Sequence, residues 1–406
     1  MLRVKRGAAA IGSIFAVASW AIVLQMFVAC GPTGEVEPTF EQNVTALEST
    51  PQAPVATANA KDTGVAESEG LKTWTSAMAL ARPGRAGCFR ATHPDNTWKE
   101  VPCGARPKNP HPSRRASALD AKLAAGSGSG GGDYEARTGD DMWAAGGWFP
   151  AINGVTSETD SDHGSGSFSL QLNSGKFLTP LCAYSPNRDC RGWQQFIYQA
   201  EHHWYGDYTQ TNIQYWLVDF NNWIDFPWGT VNVCPDGWDS SGGHCWKNGT
   251  YDDVPFINSV TDLGAIKLYG FVGAQDSVEL IVGNTLYLAQ DDSVLGLSAP
   301  GQWRSAQFNV YGLGENSQAI FNSGSMMDVA LAVWTPSKAS PQCLPPSGPT
   351  GESNNLTFVN GSCCPVAAGT AGITGAMMTL RQTNGTGWTA PFCLLNDVVP
   401  IGLPLL

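Results

Sequence analysis

From about residue 141 the chain is written in short runs that alternate apolar and polar side chains. Ser167-Phe168-Ser169-Leu170-Gln171-Leu172 is one, and Gln195-Phe196-Ile197-Tyr198 and Val278-Glu279-Leu280-Ile281-Val282 are others. A side-chain period of two places alternate residues on opposite faces of an extended chain, which only a sheet can use. Gly, Asn, Asp and Pro separate the runs, and Gly283-Asn284 between two of them predicts a tight hairpin. No long amphipathic helix pattern competes. These features predict an all-β chain, an antiparallel β-sandwich or jelly roll. Fifteen Trp with only 14% charged residues fit a compact, aromatic-rich β protein rather than a disordered chain.

Eleven cysteines add a second constraint. With Cys30 set aside, local spacing predicts three pairs that would staple loops: Cys88 with Cys103, Cys182 with Cys190, and Cys234 with Cys245. Cys343, Cys363, Cys364 and Cys393 remain, and spacing leaves their pairing open, although adjacent Cys363 and Cys364 would most simply reach different partners. Such bridges belong to oxidising compartments. No CxxC, HxxxH or HExxH spacing occurs, so no metal is expected. With no P-loop and no dinucleotide fingerprint, no cofactor is expected either, and no nucleophile elbow marks a serine hydrolase.

The N-terminus points to export. Arg3, Lys5 and Arg6 precede an apolar run from Gly7 to Ala29, the pattern of a secretory signal. Phe27-Val28-Ala29-Cys30 resembles the lipobox of bacterial lipoproteins, departing from it at Phe27, where that family usually has Leu. The resemblance implies lipidation of Cys30, which becomes the mature N-terminus, and attachment to a periplasm-facing membrane or the cell surface. The alternative is that the 23-residue run is itself an uncleaved anchor. Removing three cations takes the formal charge from −12 to −15, a balance that repels phosphate backbones and excludes nucleic acid as a partner.

Composition divides the chain as follows: 1–29 signal peptide, 30–70 flexible tether, 71–115 small disulfide-containing segment, 116–140 Gly/Ser-rich linker, 141–335 β-sandwich, 336–406 Cys-rich C-terminal segment. Arg114-Arg115 reads as a solvated loop or a processing site.

Three segments taken in order carry a further resemblance: Gly192-Trp193-Gln194-Gln195-Phe196-Ile197-Tyr198, Tyr215-Trp216-Leu217-Val218-Asp219 and Ala306-Gln307-Phe308-Asn309-Val310. They look like strands of the eqolisins, acid-active glutamic peptidases of jelly-roll fold in which a Gln and a Glu form the active pair. The resemblance spans residues 145 to 335 and implies that Gln194 or Gln195 matches the family's Gln. Gln307 would then stand where the family has Glu. An amide cannot pass a proton to and from water, so this pair lacks a general base. Glu315, eight residues on, is the first stand-in, and Asp219, Glu279 and Asp328 lie on other predicted strands. A degenerate site that binds without cutting satisfies the same residues. So does the plain reading of Gln195 and Gln307 as polar strand residues paired across the sheet.

Aromatic residues crowd the stretch between 193 and 246. Trp193, Trp204, Tyr215, Trp223 and Trp228, with Asn and Asp between them, suit the apolar faces and hydroxyl edges of a glycan, or peptide side chains. Alternating positions such as Trp216 read as core instead. Adjacent His202 and His203 would point to opposite faces of a strand, which disfavours one site using both. Glu158, Asp160, Asp162 and His163 form an acidic run that offers oxygens to calcium, but without the spacing and glycine of an EF-hand it reads first as a solvated loop. Three functions therefore compete: a peptide- or glycan-binding module on a membrane-anchored lipoprotein, an active acid endopeptidase, and a structural envelope protein.

Overall fold

The structure, a computed structural model, describes residues 69–104, 111, 134–202, 208–220, 223–226, 229–255, 260–314, 316–344, 350–359, 363–369 and 375–386. All belong to one compact unit, Asn59–Leu406. Cys30, Trp204, Trp228, Glu315 and Cys393 lie outside the described residues, as do Arg114-Arg115 and the apolar N-terminal run. Among the described residues no helix is long and apolar enough to cross a membrane.

The alternating runs fold as two large antiparallel sheets packed face to face. The first has ten strands. Its path runs Lys99–Val101, Gly87–Thr92, Thr285–Asp292, Gln275–Val282, Ile266–Phe271, Ala144–Asn153, Ser325–Trp334, Ala376–Asn384 and Thr357–Phe358, and Cys364–Val366 also pairs with Ala376–Asn384. The second has eight: Asp239–Ser241, His244–Asp253, Tyr208–Val218, Arg191–Glu201, Phe168–Ser174, Ser305–Tyr311, Glu135–Arg137 and Gln342–Leu344. Thus residues before 105 and after 340 extend the same sheets as the central strands. Gly283, at φ 58°, turns the Gln275–Val282 strand into Thr285–Asp292 over two residues, a conformation glycine adopts without steric penalty.

Alternation sets the core. Leu170, Leu172, Phe196, Tyr198, Ile213, Tyr215, Phe308 and Val310 leave the eight-stranded sheet on one face, and Phe149, Leu268, Leu280 and Leu331 leave the other sheet toward them. Close approach is needed at Gly147, where an added Cβ would stand 2.0 Å from the Phe308 ring, and at Gly270, where it would stand 2.4 Å from Phe196. Trp303, fully buried, lies 5.7 Å from Phe196 between ring centroids. The outer face of the ten-stranded sheet is covered by helix α1 (Glu69–Leu80). Trp74 and Met78 of that helix pack in one cluster with Trp148, Tyr269, Phe271 and Trp334. Leu71, Trp74, Thr75 and Met78 recur at helical spacing, enough to seat one short amphipathic helix on an apolar sheet face.

Disulfides close the loops around these sheets: Cys88–Cys103, Cys182–Cys190, Cys234–Cys245 and Cys343–Cys363. Cys364 is disulfide-bonded as well.

Candidate functional site

The eight-stranded sheet has a second face, turned away from the core between the sheets, and it is lined with carboxamides. Register places Gln307, Asn173, Gln195, Gln214 and Asn248 side by side across five strands. Two residues further along the strands a second row holds Asn309, Gln171 and Asn212. A third row adds Gln199 and Gln210. All are buried. On the other side of the first row stand Trp193, Trp216 and Trp246, with ring centroids 6.0 Å apart at each step and Val218 beside them. This buried aromatic and amide face lies on the other side of the sheet from the core between the sheets, except at Asn309, whose amide reaches Gln382 of the ten-stranded sheet.

The amides hold one another in a network. Gln195 Nε2 donates to Gln171 Oε1 at 3.0 Å, and Gln214 Nε2 donates to Asn248 Oδ1 at 2.7 Å. The Trp216 indole N–H is shared between Gln195 Oε1 and Gln214 Oε1, both at 2.9 Å. Gln171 Nε2 donates to Ser169 at 3.0 Å, and Ser169 in turn donates to the Gly312 carbonyl at 2.7 Å. Asn309 and Gln382 exchange two bonds, at 3.0 and 2.7 Å. Several atoms have no partner among the described residues: the oxygens of Asn173 and Gln307, and the whole amide of Asn212. Buried polar atoms without partners cost roughly 1–3 kcal/mol each, which makes them candidates for ligand contacts.

His111 is seated on this face, and the sequence had not marked it. Its backbone N–H donates to Gln214 Oε1 at 2.7 Å. The imidazole Nε2 lies 3.2 Å from Gln199 Oε1, and Nδ1 lies 3.2 Å from Gln171 Nε2. A carboxylate oxygen of Glu352 stands 3.4 Å from the same Nδ1, and both side chains are completely buried. Thr350 hydrogen-bonds the other Glu352 oxygen. Neither residue carries a motif: His111 stands between prolines and Glu352 in a Gly/Ser/Pro-rich stretch. Only folding brings them over the amides.

The proposed pair itself is divided. Gln195 and Gln307 share a row, but the strand Phe168–Ser174 runs between them with Asn173 interposed, so their backbones are about 10 Å apart. Gln194 points the other way, into the core, where its amide donates to Asp276 at 3.2 Å. Burial, partly offset by that bond and by Ser293, pushes the Asp276 carboxyl up to about 7. Tyr215 also faces the core, and burial together with Asp291 holds its phenol well above the usual value. Trp193, by contrast, is on the amide side. Trp223 begins the two-stranded pair Trp223–Phe226 with Gly229–Asn232.

The other carboxyls considered from sequence are held elsewhere. Asp219 sits at the exposed end of the Tyr208–Val218 strand with φ 55°. Glu279 is buried in the ten-stranded sheet, and Asp328 is bound to Arg381 there. His202 donates its backbone N–H to Ser167, and Asp160 binds His163. Among the described residues no three His, Cys, Asp or Glu side chains converge as metal ligands would.

The fold and this face define a disulfide-stapled antiparallel β-sandwich with a carboxamide-lined outer sheet. No family model matches the chain, and no curated protein matches it. Among solved structures it is similar to the crystal structure of scytalido-glutamic peptidase with a transition state analog inhibitor. The identity is 11% and the TM-score 0.26, over 63% of this chain and 98% of that one.

Proposed function

We propose that the protein is an exported, lipid-anchored peptide-binding module whose ligand lies along the carboxamide face of the eight-stranded sheet. The observation that supports this reading is the seat of His111, where a piece of polypeptide is held by main chain and side chain together. A carboxamide offers a donor and an acceptor side by side, the complement of a peptide unit. The unpartnered oxygens of Asn173 and Gln307 and the unpartnered amide of Asn212 lie in the same buried rows, where a ligand longer than one residue would meet them. A glycan would find hydroxyl partners here too, but besides the Trp216 indole Gln214 accepts from a main-chain N–H.

In the full chain carrying His111→Ala, a synthetic peptide of residues 108–114 is expected to bind saturably and to change the emission of Trp216. Gln199→Ala should weaken that binding by about tenfold, the loss of roughly 1.4 kcal/mol. Absence of saturable binding at millimolar peptide overturns the reading.

A second reading, acid endopeptidase, is favoured by one observation: Glu352 supplies, in the same seat, the carboxyl that position 307 lacks. Mass spectrometry of the peptide mixture from pH 2 to 7 separates the two. A binding module returns the peptide intact, whereas an enzyme returns fragments that Glu352→Gln abolishes. Anchoring has its own test. Cys30→Ser should move the protein from the membrane to the soluble fraction with its fold retained, and unchanged fractionation would assign anchoring to the apolar run instead.

A further inference from the structure

The chain is acidic, with 35 Asp and Glu against 23 Lys and Arg. Yet an open pocket of about 330 Å³ at one end of the eight-stranded sheet gathers Arg137, Lys176, Arg191 and Arg304 around Gln302 and Ser305. Two of these cations are partly neutralised: Arg137 by Glu135 at 2.9 Å, and Arg304 by Asp141 at 3.0 Å. Arg191 spends one nitrogen on the carbonyls of Arg188 and Cys190, and has no carboxylate partner among the described residues. Lys176 is exposed over much of its side chain; partial burial lowers its ammonium from the ordinary value more than the Asp219 charge raises it, and it forms no ion pair among the described residues. Two positive charges thus remain to be met, with guanidinium N–H groups unused on the other two.

The place of this pocket is set by strand parity. Arg191 lies two residues from Trp193 and four from Gln195, on the same face of one strand. Ser305 bears the same relation to Gln307 and is paired across to Arg137, while Gly175, at the pocket, follows Asn173 and Gln171 by twos. The cationic pocket is therefore the end of the amide face, beyond the tryptophan row. Leu178, 64% exposed, stands beside it as an apolar rim.

We propose that this pocket takes the C-terminal carboxylate of the peptide that lies on the amide face. A carboxylate meets Arg and Lys with charge-assisted bonds. The pocket is sized for one residue end, and the negative charge of the remaining surface repels longer polyanions. The pocket gives the face a direction, since the amides read any peptide unit but only one end of a chain carries the charge. Along a strand, Arg191 is about 13 Å from Gln195 and about 26 Å from Gln199, so the ligand spans about four to eight extended residues from the His111 seat to its end.

The proposal rests on the peptide reading, and its test separates the two. The probes are peptides carrying Pro-His-Pro followed by three to eight Gly or Ser residues, each made as the C-terminal acid and as the amide. They are titrated against the full chain with His111→Ala. At one length the acid should bind about tenfold more tightly than the amide, and Lys176→Gln with Arg191→Gln should erase that preference while leaving amide binding and melting temperature unchanged. Lys176→Gln alone should erase part of it. Equal binding of acid and amide at every length overturns the carboxylate seat and leaves the amide-face reading standing. Failure of both to bind overturns the peptide reading and the seat with it. An amidated peptide ending in Asp that matches the acid overturns the assignment to a chain terminus.

Discussion

Replacing Asp328 by Ala should destabilise the protein by about 3–5 kcal/mol, the loss expected when one partner of a buried ion pair is removed. Asp328 and Arg381 face each other across the strands Ser325–Trp334 and Ala376–Asn384, 2% and 8% exposed. The contact is a two-pronged fork, Nε to Oδ1 at 2.6 Å and one terminal nitrogen to Oδ2 at 2.8 Å. Removing the carboxylate strands a guanidinium with little access to water. Removing both charges together, as Asp328→Leu with Arg381→Met, should restore most of the loss, because paired burial of ions gains little over packed hydrocarbon. Chemical denaturation of the three variants reads both effects. A single variant within about 1 kcal/mol of wild type would show that the fork does not hold these strands.

The second large effect is a fall in stability with rising pH. Glu279 is raised from 4.5 to about 7 by burial, which the Arg82 charge only partly offsets. Asp276 is raised from 3.8 to about 7, again chiefly by burial. Glu158 is pushed to about 9 by burial and then by the charge of Asp160. For each, the folded chain holds a proton that the unfolded chain releases. The stability they contribute is fully present below their unfolded values near 4 and is lost as pH rises through 7 and then 9. His163, raised by its bond to Asp160, acts in the same direction above 6.5. Asp160 opposes them at the acid end. Although burial works against its charge, His163 and the backbone N–H groups of Leu313 and Asp162 hold it at about 2, so its contribution disappears below 3.8. Stability should therefore peak near pH 4–5 and fall steadily toward pH 8. Glu279→Gln should flatten the part of the curve below 7. A melting temperature that rises from pH 5 to 8 would contradict the assignment.

Both predictions use carboxyls that are visible in the sequence but had no role legible there. Glu279 and Asp328 are merely polar positions in alternating strands until the sheet that holds them is covered or paired. Gln194 and Gln195 show the same limit more sharply. Alternation states that they face opposite ways, and only the packing of two sheets makes one of them interior, beside Asp276, and the other part of the amide surface.

What the sequence by itself determined is local. Period-two runs require strands, Gly283-Asn284 requires a tight turn, and cysteines a few residues apart in turn-rich sequence bring stapled loops; each depends on neighbours within about 15 residues. The candidate site is not local. His111, Glu352, Gln171, Gln199 and Gln214 are drawn from across 240 residues of chain, and Arg137, Lys176, Arg191 and Arg304 from nearly 170. Their meeting depends on strand order and register across the eight-stranded sheet, which are set by which apolar faces bury each other most completely. That choice is made by the whole core at once, so the tertiary structure alone decided where the amides, the histidine and the cationic pocket would lie.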